Sequence, residues 1–107
     1  ERIRKLEETG VILGYRAVLD PKKFGMDIRA IITVTLIAEK RKDFLEFVKQ
    51  NKSILECHHV TGDFSMIIKV ILRTMSELKT LVGEIQQFGD TQTLVILSSP
   101  VEYKGIL

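Results

Sequence analysis

The alternation of apolar and polar positions predicts a long β-strand over residues 28–38. Every second side chain in this stretch is apolar, which is the period-two pattern of a strand with one buried face. These positions are Ile28, Ala30, Ile32, Val34, Leu36 and Ala38. Charged residues follow at 40–43, and apolar side chains then recur at helical spacing up to about Asn51, which predicts a first helix. The apolar residues of that helix are Phe44, Leu45, Phe47 and Val48.

The middle of the chain predicts a β-hairpin. Residues 54–61 and 64–73 have the β-branched and apolar composition of strands, and only Gly62 and Asp63 separate them. A two-residue loop with glycine in first position favours a tight turn between antiparallel strands. We therefore expect these two strands to pair.

A second helix and a fourth strand complete the pattern. Thr74 and Glu77 form a capping box, and apolar residues at helical spacing continue to about residue 87. The Gly-Asp pair at 89–90 is interpreted as the end of the connection. Residues 91–99 alternate again and predict a strand.

The predicted order is βαββαβ, which indicates an α+β fold. Right-handed crossovers place both helices on one face of a four-stranded antiparallel sheet, which is the ferredoxin-like plait. Five apolar positions of the third strand should face the helices. They are Phe64, Met66, Ile68, Val70 and Leu72.

The opposite face of the sheet is more apolar than a solvated face should be. It carries Ile31 and Ile37 on the first strand and Ile67 and Ile71 on the third, and Leu94 and Ile96 extend it on the fourth strand. A monomer rarely leaves such a patch exposed. We expect a second copy to pack on it, sheet against sheet, and the alternative is that the N-terminal arm covers it.

Residues 1–27 form a separate segment ahead of the predicted plait, which spans 28–107. The segment predicts a helix end closed by Gly10, a linker strand over 11–19 and a single turn over 20–25. Because the chain opens on Glu1 inside a helical pattern, we expect the start of that helix to lie upstream of this sequence.

Composition excludes several classes of protein. The 107 residues, 45% of them hydrophobic, suit one globular domain, and no apolar run approaches the ~20 residues of a membrane-spanning helix. Cys57 is the single cysteine, so no intrachain disulfide is possible and a reducing cytoplasm fits best. The net charge of +2 selects no partner, and its excess lies in residues 1–24.

Candidate chemistry is sparse. His58 and His59 are adjacent on a strand and point to opposite faces, so they cannot share a metal ion, and no second group of ligands accompanies Cys57 and His59. The sequence predicts no metal, no cofactor and no catalytic residue. A glycine, a carboxylate, two hydroxyls and an aromatic ring do converge at residues 60–65, although a simple turn also explains them.

Three stretches of the sequence resemble the leucine-responsive and asparagine-operon regulator family, Lrp/AsnC. They are residues 2–15, residues 18–25 and the Glu-Cys-His-His-Val-Thr-Gly-Asp-Phe run at 56–64. The resemblance covers almost the whole chain and implies the end of a DNA-recognition helix followed by an effector-binding domain. Members of that family are DNA-binding transcriptional regulators of bacteria and archaea. Their ferredoxin-like domain dimerises, assembles dimers into rings such as octamers, and binds an amino acid.

The resemblance also implies site residues. An effector pocket between neighbouring dimers would be formed by Thr61, Gly62, Asp63, Phe64 and Ser65, with Thr91, Gln92 and Thr93 from a facing subunit. The position of Ser65 is often acidic in the family, where it pairs with the effector's ammonium. Arg2, Arg4 and Lys5 would lie near DNA, which the full-length parent protein would bind.

Two other functions remain open. One is a free-standing effector-binding domain without a DNA-binding partner. The other is a small dimeric ferredoxin-like enzyme, such as a cofactor-independent monooxygenase, with its cavity between sheet and helices. The uniformly apolar inner face of the sheet leaves no polar group for such a cavity.

Overall fold

A computed structural model of the chain describes residues 28–105. The predicted helix end, linker strand and turn of residues 1–27 lie outside the described residues, as do Arg2, Arg4 and Lys5. Within 28–105, no helix is long and apolar enough to cross a membrane.

Four strands and two helices alternate in the predicted βαββαβ order. They are β1 (Ile28–Leu36), α1 (Arg41–Gln50), β2 (Ile54–His59), β3 (Met66–Leu72), α2 (Met75–Ile85) and β4 (Gly89–Val95). Short 3-10 turns at Ala38–Lys40 and Gln86–Phe88 precede α1 and β4. The strands form one antiparallel sheet in the order β2-β3-β1-β4, which confirms the ferredoxin-like plait.

The core lies between the sheet and the two helices. On β1, Ala30, Ile32 and Val34 are buried, and the matching positions of β3 are buried opposite them. The helix side contributes Phe44, Leu78, Leu81, Ile85 and Phe88. The rings of Phe44 and Phe88 meet edge to face with their centroids 5.6 Å apart, which joins α1 to the chain after α2.

The predicted capping box begins α2 as expected. The Thr74 hydroxyl accepts a hydrogen bond from the Glu77 amide at 3.1 Å. The Glu77 carboxylate accepts one from the Arg73 amide at 2.9 Å. Two amides that the helix itself cannot satisfy therefore have partners.

The predicted tight hairpin is wrong. β2 ends at His59 and β3 begins at Met66, so a six-residue loop, residues 60–65, joins them instead of a two-residue turn. Val60 donates its amide hydrogen bond to the Ser65 carbonyl, so four residues, 61–64, rather than two span the gap beyond this contact. Phe64 accordingly lies in the loop and not on the strand.

The predicted limits of β1 and β4 also need correction. β1 ends at Leu36 rather than at residue 38, because the chain turns into the 3-10 segment. β4 begins at Gly89, where we expected the end of a connection. Glycine can pair there because a Cβ atom at this position would collide with the Thr35 carbonyl group. The far end of β4 is Val95 rather than residue 99.

Candidate functional site

The loop 60–65 projects from one end of the sheet. It is closed by a hydrogen bond of 2.9 Å from the Val60 amide to the Ser65 carbonyl. Thr61, Gly62 and Asp63 are exposed. Gly62 has a φ of +113°, a conformation that favours glycine, so the sequence supplies the residue that this bend requires.

Ser65 fastens this loop to the end of β1. Its hydroxyl accepts a hydrogen bond from the Leu36 amide at 3.0 Å and donates one to the Val34 carbonyl at 3.3 Å. Its amide donates to the same carbonyl at 3.1 Å. The side chain is therefore directed at the backbone of β1, and its single proton is already used.

Several backbone amides of the loop have no hydrogen-bond partner within the described chain. Among residues 28–105, no acceptor lies within hydrogen-bond distance of the amides of residues 61–64. Backbone amides without a protein acceptor are donors that an anionic group can use. These amides are the backbone donors of the predicted site that the described chain leaves without a partner.

The start of β4 lies at the same end of the sheet. Val34 of β1 pairs with Met66 on one side and with Thr91 on the other. At the usual strand spacing, the starts of β3 and β4 are roughly 10 Å apart. The structure thus brings both predicted groups of site residues to one sheet end within a single protomer.

Thr91, Gln92 and Thr93 do not share one surface. Thr91 and Thr93 pair with the buried Val34 and Ile32 and lie on the helix side, whereas Gln92 pairs with Thr33 on the outer face. The Thr91 hydroxyl lies 3.4 Å from the Gln86 amide nitrogen, which donates to it. A single ligand on one face of the sheet can therefore contact only part of this predicted group.

Sequence reasoning missed one charged residue at this end. Asp90 lies on β4 opposite Thr35, is exposed, and forms no ion pair within the described part of the chain. The signal that could have located it is the alternation of 91–99, which extends back by two residues once Gly89 is allowed in the strand.

The outer face of the sheet holds the predicted dimer-interface residues. Ile31 and Ile67 are half-buried, Ile71 is 7% exposed, and Ile37 lies just past the end of β1. Leu94 pairs with Ile31 and is 49% exposed. Ile31, Ile67, Ile71 and Leu94 therefore lie on the face that the helices do not cover, whereas Ile37 lies outside the strand.

A charged cluster borders that apolar face on the β2 side. His58 Nε2 donates to a Glu56 carboxylate oxygen at 2.8 Å, and the Lys69 ammonium lies 3.4 Å from the other oxygen. The hydrogen bond from His58 is the main cause that holds the pKa of Glu56 below its ordinary value; partial burial opposes it, and the charge of Lys69 lowers the pKa further.

Cys57 and His59 lie on the helix side, as their alternation with His58 predicts. Cys57 pairs with Ile68 and packs against the core, and burial raises the pKa of its thiol. Residues 28–105 contain no group of three side chains that could hold a metal ion. The one buried polar side chain among them is Thr33, which lies on the outer face rather than in the core.

Comparison with known proteins places this geometry in a family context. Residues 29–106 match the model of the Lrp/AsnC ligand-binding domain. The leucine-responsive regulatory protein of Haemophilus influenzae is 36% identical over 104 residues, which cover 91% of this chain and 63% of that protein. The chain thus spans less than two thirds of the length of this relative.

Solved structures share the fold. The structure of Escherichia coli AsnC superposes with a TM-score of 0.75 at 28% identity, over 96% of this chain and 72% of the other. A transcriptional regulator from Neisseria meningitidis, solved as a complex with L-Met, superposes with a TM-score of 0.80 at 21% identity, over 99% and 73% of the two chains.

Proposed function

The chain belongs to the Lrp/AsnC family, and we propose that it is the amino-acid-sensing and oligomerisation part of a bacterial or archaeal DNA-binding transcriptional regulator. The observation that carries this proposal is the match of residues 29–106 to the family's ligand-binding domain. The exposed loop 60–65, whose amides at 61–64 have no partner in the described chain, supports it. In this proposal residues 28–107 sense and assemble, and residues 1–27 lead from the DNA-binding part of the parent protein.

The loop 60–65 is the proposed effector site. Its backbone amides would bind the carboxylate of a free amino acid, and the hydroxyl of Thr61 adds a further donor. Residues at the start of β4 of a neighbouring subunit would complete the pocket between dimers. The complex of the Neisseria regulator with L-Met supports an amino acid as the class of ligand.

The outer face is the proposed dimer interface. Ile31, Ile67 and Leu94 form an apolar strip that keeps partial exposure in the single chain, and two sheets packed face to face would bury it. An isologous interface of this kind gives a homodimer, and family resemblance suggests further assembly to an octamer. An effector bound between dimers would then shift the assembly equilibrium.

The remaining parts of the proposal follow from the regulator role. The protein would act in the cytoplasm, where DNA lies, and Arg2, Arg4 and Lys5 would add salt-sensitive phosphate contacts. An enzyme receives no support, because the relatives are regulators and the described core between sheet and helices holds only apolar side chains. A free-standing effector-binding domain is the second candidate, and it shares the same effector site.

Calorimetry with each of the twenty L-amino acids tests the proposal. We expect at least one to bind the wild-type chain, and Thr61→Val to weaken it about fivefold by removing a hydrogen bond without changing side-chain shape. Thr80→Val, on the exposed side of α2, is the matched control and should bind like wild type. If none of the twenty amino acids binds, the proposed function is wrong.

A further inference from the structure

We propose that the carboxylate of Asp63 receives the α-ammonium of the effector, so that the site selects zwitterionic amino acids over the corresponding 2-oxo acids. This inference rests on the proposed function of the loop 60–65. It concerns which side chain of the loop meets the ammonium of the ligand.

Ser65 is not placed to do so. Its hydroxyl is held between the Leu36 amide at 3.0 Å and the Val34 carbonyl at 3.3 Å, and the residue is half-buried. The Ser65 hydroxyl therefore connects the loop to β1. It contributes no negative charge toward a ligand in the loop.

Asp63 has the opposite properties. It is the one ionisable residue within 60–65, it is exposed, and no cation pairs with it among residues 28–105. It is itself one of the four residues, 61–64, whose backbone amides have no acceptor in the described part of the chain. Residues 61–64 therefore carry both a carboxylate and a set of N–H donors, which matches the two charged groups of an α-amino acid.

This arrangement discriminates by charge. A 2-oxo acid is a simple anion, and its carboxylate bound to these amides would be repelled by Asp63. An amino acid places its ammonium between the two carboxylates and turns that repulsion into attraction. The same side chain thus favours one class of ligand and disfavours the other.

Asp90 is the other carboxylate at this end of the sheet that could receive the ammonium. It is exposed and unpaired within the described chain, but it lies on β4, with the whole of β1 between it and β3. Within one protomer, that separation exceeds the distance between the charged groups of an α-amino acid bound in the loop. Asp90 therefore serves as a test of the assignment.

The experiment measures a ratio of affinities by calorimetry on the full chain. The probes are L-methionine and its 2-oxo acid counterpart, or the amino acid that binds best among the twenty and its own counterpart. For the wild type we expect the amino acid to bind at least about tenfold more tightly. Asp63→Asn, which keeps the size and turn preference of the side chain, should bring the ratio to near one, and Asp63→Glu should restore a preference.

The controls separate this inference from its premise. Asp43→Asn changes the same charge on α1 and should keep the wild-type ratio. If Asp63→Asn keeps the ratio, or Asp90→Asn loses it instead, the assignment of Asp63 is wrong while the proposed function stands. If the wild type binds no amino acid, the proposed function fails, and this inference with it.

Discussion

The hydroxyl of Ser65 accepts a hydrogen bond from the backbone amide of Leu36 at a distance of 3.0 Å. This contact joins two residues that are 29 positions apart in the sequence, and it ties the loop 60–65 to the last residue of β1. The geometry of the candidate site therefore depends on a side chain that we place outside its ligand-binding surface.

Replacing Ser65 with alanine should destabilise the fold. The Leu36 amide would lose its acceptor in a half-buried position, which costs about 1–2 kcal/mol. Urea unfolding measures the change, with Ser76→Ala on the exposed side of α2 as the control. Equal unfolding midpoints for the two variants would show that the contact does not contribute.

Two glycine-to-alanine changes should have opposite signs. A Cβ atom at Gly89 would collide with the Thr35 carbonyl oxygen and lie 2.9 Å from the carbonyl carbon, so Gly89→Ala should destabilise by about 1–3 kcal/mol or more. A Cβ atom at Gly83 of α2 meets no neighbour within 4 Å, so Gly83→Ala should stabilise by about 0.5–1 kcal/mol through helix propensity. Thermal unfolding of both variants tests the pair, and shifts of the same sign would contradict the proposed close approach.

The pH dependence of stability should carry a contribution from Glu56. Because its pKa in the folded chain is below the ordinary value of 4.5, its ionised form stabilises the fold above that pH. The stabilisation is lost as the pH falls from 4.5 through the lowered pKa. It is small, because the side chain is close to half exposed.

The variant Glu56→Gln should therefore show a shallower loss of stability below pH 4.5 than the wild type. Adding His58→Gln to this variant should change the acid limb little further, because the partner of His58 is already gone. Denaturant unfolding across the acid range gives the two profiles. Parallel profiles for wild type and Glu56→Gln would exclude the contribution.

Assembly should depend on the outer face of the sheet. Ile67→Asp would bury an unpaired carboxylate in the proposed dimer interface and should shift the chain toward monomer. Met75→Asp is the matched control, since Met75 is 54% exposed at the start of α2 on the helix side. Light scattering at micromolar concentration gives the molar mass of each variant. A monomeric wild type would contradict the proposed interface.

Local sequence patterns predict most elements of the fold. Period-two alternation located β1, and the Thr74–Glu77 capping box located the start of α2, because both patterns depend on neighbours within a few residues. The same local reasoning failed at the loop. Gly62 and Asp63 favour a tight turn, but residues 60–65 form a longer loop in which Ser65 binds β1, and no local pattern reports a contact between residues so far apart.

The candidate site shows the same division. The residue types at 60–65 identified the loop, and their backbone donors were visible only in three dimensions. The resemblance groups Thr91 with Gln92, although period two already requires them to face opposite sides of the sheet. Gly89 was interpreted as a terminator, since its close approach to Thr35 becomes apparent only when β1 and β4 are paired.

Hydrogen–deuterium exchange of residues 60–65 tests most directly the central claim that this loop binds a free amino acid. Without ligand, the amides of residues 61–64 should exchange quickly, because the described part of the chain offers them no acceptor. We predict that the amino acid found by calorimetry slows exchange in this loop. At the same ligand concentration, the slowing should be smaller in the Asp63→Asn variant. Saturating amino acid that leaves exchange of 60–65 unchanged while slowing it elsewhere would contradict the account.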